Sequence, residues 1–379
     1  MIDAVKLAQD LIRCPSVTPK DAGALGVLQS ALGPLGLQCH RLDFGEVSNL
    51  YARIGNGGPN FCFAGHTDVV PPGDAKLWKS DPFAAEIRDG VLYGRGAADM
   101  KSAVAAFAAA AQRHIAKGLK GSISLLITGD EEGVAVNGTK KVLEWMTGKG
   151  ERIDHCLVGE PTSLSRAGDT IKIGRRGSMR IEFTAHGVQG HTAYPQNAIN
   201  PIPVLATLVS RLAAEPLDTG TAHFEPSTIA FTTFDVGNPA SNVSPAQAFA
   251  ACNIRFNDLH TPDSLLRRVE QKMAQAASEL GGEIAIASSV SGTAFLTAPG
   301  RFTDVLRQAV QRVTGAAPAF STGGGTSDAR FIKDHCPVAE LGLASATMHK
   351  ANECVPVAEI ALLAGIYEAI LDDYFAAPP

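Results

Sequence analysis

There is no basic block in this chain: 33 Lys and Arg stand against 38 Asp and Glu, for a formal net charge of −5. That balance argues against nucleic acid as the main partner. No long apolar run is present either; the alanine-rich stretch 103–111 is too short to span a bilayer and reads as a packed helix, so no membrane partner is expected. No signal-peptide pattern precedes Ala4, because the first turns are amphipathic and carry Asp3, Lys6 and Asp10. The seven cysteines (Cys14, Cys39, Cys62, Cys156, Cys252, Cys336 and Cys354) are odd in number, scattered, and never form C-x-x-C. They read as reduced core thiols of a cytoplasmic protein. Internal repeats and low-complexity linkers are also absent. What remains is an ordinary globular composition, 45% hydrophobic over 379 residues, which suggests two domains and leaves room for a sizeable core.

Helical spacing covers residues 3–13 and 22–32, and strands are expected at 38–43, 50–54 and 61–64. The last of these, Phe61 to Ala64, closes in Gly65-His66-Thr67-Asp68. His66 and Asp68 stand two residues apart, on one face of an extended segment, so the carboxylate is placed to orient the imidazole. Gly94-x-Gly96 lacks the third glycine of a dinucleotide fingerprint, and Asp99 stands where a phosphate would approach. Asp99 precedes a helix at 101–117, for which N-capping is its plainest role. An apolar strand at 122–128 ends in Asp130-Glu131-Glu132, three carboxylates that a cation would neutralise, and another at 154–158 ends in Glu160. Strand ends thus deliver several donors, as an α/β sheet does at a site.

The pattern changes near Gly177. Residues 178–185 alternate, a helix is expected at 201–214, strands at 228–236 and 246–257, a helix at 261–280, and alternation returns at 283–289. Strand, helix, strand, strand, helix, strand is the order of a ferredoxin-like sandwich. The expected division is therefore a domain formed by 1–176 with 290–379, and an inserted domain at 177–289.

His66, Asp99, Glu132, Glu160 and His349 make a donor set of nitrogen and oxygen without cysteine. It suits zinc or another first-row divalent ion and poorly suits calcium. Five ligands exceed one tetrahedral catalytic zinc and suit two ions if one carboxylate bridges.

Segments in order along the chain carry a resemblance: Gly65-His66-Thr67-Asp68-Val69-Val70-Pro71, Tyr93-Gly94-Arg95-Gly96-Ala97-Ala98-Asp99-Met100-Lys101, Thr128-Gly129-Asp130-Glu131-Glu132, Gly159-Glu160-Pro161-Thr162, Gly174-Arg175-Arg176-Gly177-Ser178, Gly187-Val188-Gln189-Gly190-His191-Thr192-Ala193-Tyr194-Pro195, Gly324-Gly325-Thr326-Ser327-Asp328-Ala329-Arg330 and His349-Lys350-Ala351-Asn352-Glu353. The chain resembles the M20 family of co-catalytic, dizinc metallopeptidase-like amidohydrolases, and within it the desuccinylase branch. Acetylornithine deacetylases, aminoacylases and carboxypeptidases share the metal motifs. The resemblance implies an α/β zinc-peptidase-like catalytic domain with an inserted ferredoxin-like α+β lid and dimerisation domain.

It also implies two Zn2+, for which Co2+ can substitute, with Asp99 bridging, His66 and Glu160 on one ion, and Glu132 and His349 on the other. Glu131 becomes the general base acting on a water between the ions. Asp68 and His191 complete the catalytic residues. His191 and Asn242 come from the partner subunit of a homodimer, His191 as a donor to the oxyanion. The substrate implied is N-succinyl-LL-2,6-diaminopimelate, held by Arg175, Ser178, Tyr194, Asn242, Arg255, Gly325, Thr326 and Ser345. The arginines suit its carboxylates, and the Gly324-Gly325-Thr326 amides are expected to open a helix toward an anion. Ser345 stands where the branch carries Asn, which keeps a related acyl amino acid open as the alternative substrate.

Overall fold

The computed structural model describes residues 1–376. Two compact units emerge: Met1–Ile173 with Thr297–Ser321 and Ser327–Pro379, and Gly174–Leu296 with Thr322–Thr326. The short segment Thr322–Thr326 lies inside the stretch assigned from sequence to the first domain, yet it clusters with the second unit. Hydrogen bonds account for this, since Arg175 Nη1 donates to Gly325 O at 3.0 Å and Thr322 Oγ1 to His223 O at 2.6 Å.

The first unit is built on an eight-stranded sheet. In spatial order its strands are Gln38–Phe44, Val47–Ile54, Ser122–Thr128, Asn60–His66, His155–Val158, Val338–Glu340, Thr170–Lys172 and Ala319–Ser321. The central four, from Ser122–Thr128 to Val338–Glu340, run parallel. Asn60–His66 and Ser122–Thr128 are buried at every position, as expected of parallel strands covered on both faces. Helix Ser102–Ala116 packs beside helix Val357–Ala376 and helix Ala4–Ile12. Every residue from Ala103 to Ala111 is buried, because alanine side chains permit close approach on all sides of the helix. Phe107 is the large exception in that run, and its ring stacks on Phe63 at 4.2 Å between centroids. Parallel strands bring their carboxyl ends to one edge, and the loops leaving that edge carry the site.

The second unit is a four-stranded antiparallel sheet in the order Thr228–Asp235, Gln247–Phe256, Gly177–His186, Glu283–Gly292. With helices Pro201–Ala214 and Pro262–Leu280 it has the ferredoxin-like topology that the order of elements predicts. Met179, Ile181, Phe183 and Ala185 alternate inward to meet Val204, Leu208, Leu265 and Val269 in one core. Both helices start where capping chemistry dictates: Asn200 accepts from Ile202 N ahead of Pro201, and Thr261 forms a capping box with Ser264 ahead of Pro262. Thr228–Asp235 is an outer strand of the sheet, paired on one side only.

Candidate metal centre

His66 ends its strand with no exposed surface. Its Nδ1 lies 2.8 Å from the backbone carbonyl of Asp68, which can only accept, so Nδ1 carries a proton and Nε2 faces inward. Nε2 is 3.1 Å from Asp99 Oδ1 and 3.7 Å from Glu160 Oε1. The expectation that the Asp68 carboxylate orients the ring is corrected here. Its Oδ1 stands 3.6 Å from Nδ1, farther than the carbonyl, and both oxygens are engaged elsewhere. Oδ1 accepts the Glu131 N–H at 3.3 Å and Oδ2 the Glu132 N–H at 3.0 Å.

The three successive carboxylates are not all turned toward a cation, contrary to the sequence expectation. Asp130 turns back to accept the amides of Val136 and Asn137 at 2.9 and 3.0 Å, because those amides need acceptors inside the loop. Asp99 is likewise no helix cap. Its backbone is extended (φ −124°, ψ 97°) within the irregular turn that precedes Ser102–Ala116, and that helix has no side-chain cap. This frees the carboxylate to divide: Oδ1 meets His66, while Oδ2 lies 3.3 Å from His349 Nε2. His349 Nε2 is also 2.9 Å from Glu132 Oε1. The donors form two groups, His66 with Asp99 and Glu160, and Asp99 with Glu132 and His349, each with its ligand atoms within 4.8 Å of one another. Asp99 belongs to both.

The electrostatics are those of an acidic cluster short of cations. Burial, then the charges of Asp99 and Glu131, hold the Glu160 carboxyl well above the usual range. Its Oε1 is a buried oxygen with no hydrogen-bond partner. Glu131, half-buried by its surface, is also raised well above the ordinary value, by burial and by Asp328, Glu132 and Asp99 against the opposing pull of His66. Burial works against a charged His66, yet hydrogen bonding to Asp99 and the neighbouring carboxylates raise it well above normal. Hydrogen bonds that His349 donates to Asp99 and Glu132 push it up to about 10. Asp99 is lowered, burial being outweighed by its bonds to the two imidazoles. An orphaned buried oxygen, surplus negative charge, and imidazole and carboxylate donors without thiolate fit a pair of divalent ions sharing Asp99.

The second unit carries most of the expected substrate contacts. His191, Tyr194 and Asn242 are exposed and close together: His191 pairs with Val243 across a two-residue ladder, Thr192 N donates to Asn242 O at 3.0 Å, and the His191 and Tyr194 rings lie 5.8 Å apart. Ser178 is buried on strand Gly177–His186, with Arg255 as its cross-strand partner. Burial and the nearby charge of Arg176 lower the Arg255 guanidinium, so two arginines stand together where sequence reasoning had placed one. Arg175 is buried, and its Nη1 donates to the carbonyls of Gly325 and Gly323. Enclosed guanidinium N–H groups need acceptors, and the glycine-rich backbone supplies them. Gly325 and Thr326 lead into the short helix Ala329–Ile332 but do not themselves open it. In the first unit Ser345 is half-buried, its N–H donating to Ser163 O at 3.1 Å.

Two residues given no role from sequence belong to the centre's surroundings. Arg95 and Glu353 form a buried ion pair at 2.7 Å. A fully buried acid inside the quoted His349–Glu353 segment, just before an apolar strand, was the one available signal.

Residues 62–373 match the model of peptidase family M20/M25/M40. The chain is 60% identical to the succinyl-diaminopimelate desuccinylase of Rhodospirillum centenum, over 99% of this chain and 98% of that one. It is 56% identical to the protein of the same name from Parvibaculum lavamentivorans, over 99% and 96%. Among solved structures it is similar to the aminopeptidase PepT of Bacillus cereus, with a TM-score of 0.81 at 22% identity over 98% of this chain and 99% of that one. It is also similar to the YXEP protein of Bacillus subtilis, a dinuclear metal-binding M20 peptidase, with a TM-score of 0.73 at 17% identity over 98% and 96%. The fold, the paired donor groups and the near-full-length relatives agree, and the chain belongs to peptidase family M20/M25/M40.

Proposed function

We propose that this chain hydrolyses the amide bond of N-succinyl-LL-2,6-diaminopimelate, releasing succinate and LL-2,6-diaminopimelate in lysine and peptidoglycan-precursor synthesis. The observation that carries the reading is the division of Asp99, one oxygen toward His66 and the other toward His349, with Glu131 alongside. The names of relatives more than half identical over nearly the whole chain support the substrate.

His66, Asp99 and Glu160 would hold one Zn2+, and Asp99, Glu132 and His349 the other, with Co2+ able to replace either. Bound there, such ions supply Lewis acidity and make water a stronger acid. The remaining chemistry belongs to side chains. Glu131 takes a proton from the attacking water and delivers it to the leaving amine, as its backbone anchor on Asp68 holds it beside the ligand Glu132. Asp68 is a catalytic-site residue through this anchoring. His191 and Asn242 donate to the developing oxyanion across subunits of a homodimer; one such donor is worth about 3–4 kcal/mol of barrier. Their exposed, shared loop pair and the one-sided strand Thr228–Asp235 support that assembly. Arg175, Arg255, Ser178, Tyr194, Gly325, Thr326 and Ser345 contact the substrate's carboxylates and amine, Arg175 also bracing the glycine loop. Seven unpaired cysteines among the described residues support a cytoplasmic setting. No described helix is long and apolar enough to cross a membrane.

The test is the rate of succinate release from N-succinyl-LL-2,6-diaminopimelate by zinc-loaded protein, beside N-acetylornithine and a dipeptide. Faster turnover of either comparison substrate would overturn the assignment. Light scattering decides the dimer, and mixing an inactive His191→Ala chain with an inactive Glu131→Gln chain should restore activity only if sites are shared.

A further inference from the structure

Glu353 is completely buried and is no metal ligand, because donors fill both its oxygens. Oε1 accepts the N–H groups of Ala98 and Asp99 at 2.8 and 3.1 Å; Oε2 accepts the Gly96 N–H at 3.0 Å and Arg95 Nη1 at 2.7 Å. Arg95 then reaches the backbone of the opposite loop, donating to the carbonyls of Lys350 at 3.3 Å and His349 at 3.5 Å. The Glu353 carbonyl closes the ring by accepting the Gly94 N–H at 2.9 Å. One carboxylate thus grips the backbone of Asp99 and, through Arg95, the backbone of His349.

Those two residues supply the atoms, Asp99 Oδ2 and His349 Nε2, whose 3.3 Å separation defines the second donor group. His349 also has φ +60°, a left-handed conformation that a non-glycine residue keeps only where its surroundings hold it. Without the clamp the relaxed backbone at 349 would carry Nε2 away from Asp99 and Glu132. His66 ends one strand and Glu160 follows another, and the clamp reaches their group only through Asp99.

We propose that Glu353 is a positioning residue that, with Arg95, sets the affinity of the Asp99–Glu132–His349 group for its ion more strongly than that of the His66–Asp99–Glu160 group, because it holds two backbones of the former, Asp99 and His349, and only Asp99 of the latter. The inference rests on the ligand assignment under the proposed function and adds control of the second group by a buried ion pair outside the ligand set.

Titration of metal-free full-length protein with Co2+, followed by calorimetry and by the visible absorption of the bound ion, tests it. Wild type should take up two ions, and Glu132→Gln should lose the one assigned to the second group. Glu353→Gln should bind its first ion only a few-fold more weakly than wild type and its second roughly ten- to a hundredfold more weakly, with the larger spectral change for the second ion. Should Glu353→Gln not fold, the Arg95→Met/Glu353→Gln double variant removes both buried charges and takes the same readout. Two ions bound with wild-type affinity and spectrum, or equal weakening of both, would show a merely structural clamp and overturn the inference alone. Wild type that binds fewer than two ions would overturn the ligand assignment with it.

Discussion

Asp68 Oδ2 accepts the backbone N–H of Glu132 at 3.0 Å, so a carboxylate leaving one central strand fixes the loop that leaves its neighbour. The same side chain accepts the Glu131 N–H. A ligand and the proposed base are therefore aligned by one acceptor. Asp68→Ala should leave two amides without it, at about 1–3 kcal/mol for each that stays dry. We expect kcat to fall with KM little changed, and the melting temperature of the metal-free chain to drop; steady-state kinetics and calorimetry check both.

Glu131→Gln keeps the shape of the side chain and removes its basicity. Turnover should fall roughly a hundred- to ten-thousandfold, while two ions still bind, since Glu131 belongs to neither donor group. Metal content measured beside the rate separates this outcome from a collapsed site.

Asp99→Asn should disturb both positions at once, because its carboxylate is common to both groups. Chelation of wild type should abolish activity, with Zn2+ or Co2+ restoring it. At a free-ion level a thousandfold above Kd, each bound ion should add about 4 kcal/mol to unfolding free energy, an increment Asp99→Asn should largely lose.

The metal-free chain should show a pH dependence from His349. Its folded pKa of about 10, raised by hydrogen bonds to Asp99 and Glu132, exceeds the ordinary 6.5. Its contribution is thus fully present below pH 6.5 and is lost as pH rises toward 10. Melting temperatures should decline across that window in metal-free wild type and less steeply in His349→Ala, where the raised His66 remains. Solvent screening at this exposed residue keeps the effect small.

Phe107→Ala should cost about 3–5 kcal/mol. The ring has no exposed surface and lies between Phe63 at 4.2 Å and Tyr367 at 5.8 Å, so its removal leaves a cavity that neighbouring alanines cannot fill. Denaturant unfolding checks the value.

Much of this architecture was legible in the sequence where the signal is local. Phe61 to Ala64 and Ser122 to Thr128 read as buried strands because both faces are apolar, and their trailing loops expose the donors directly. Alternation at Met179, Ile181 and Phe183 gave the second unit for the same reason. Helix Thr139–Gly148 went unassigned, since its buried positions are Thr139, Val142, Leu143 and Met146 within a largely polar stretch that opens on Gly138. Long-range pairings left no trace: Arg95 meets Glu353 across most of the chain, and no spacing rule anticipates it. Asp68 shows how a partner can be misread, because choosing between a backbone carbonyl and a carboxylate for His66 depends on where a second loop lies.

The parallel strands that gather the donors also set an order of assembly. His66, Asp99, Glu132 and Glu160 all arrive within the first 160 residues, Asp99 in the turn before Ser102–Ala116 and the others at or just past the ends of strands in one sheet, whereas His349 follows Val338–Glu340, added from near the other end of the chain. A growing chain can present one complete ion-binding group long before the other. Occupancy by two ions is then a mark of a finished molecule, and a truncated or stalled product would be distinguishable by the ion it lacks.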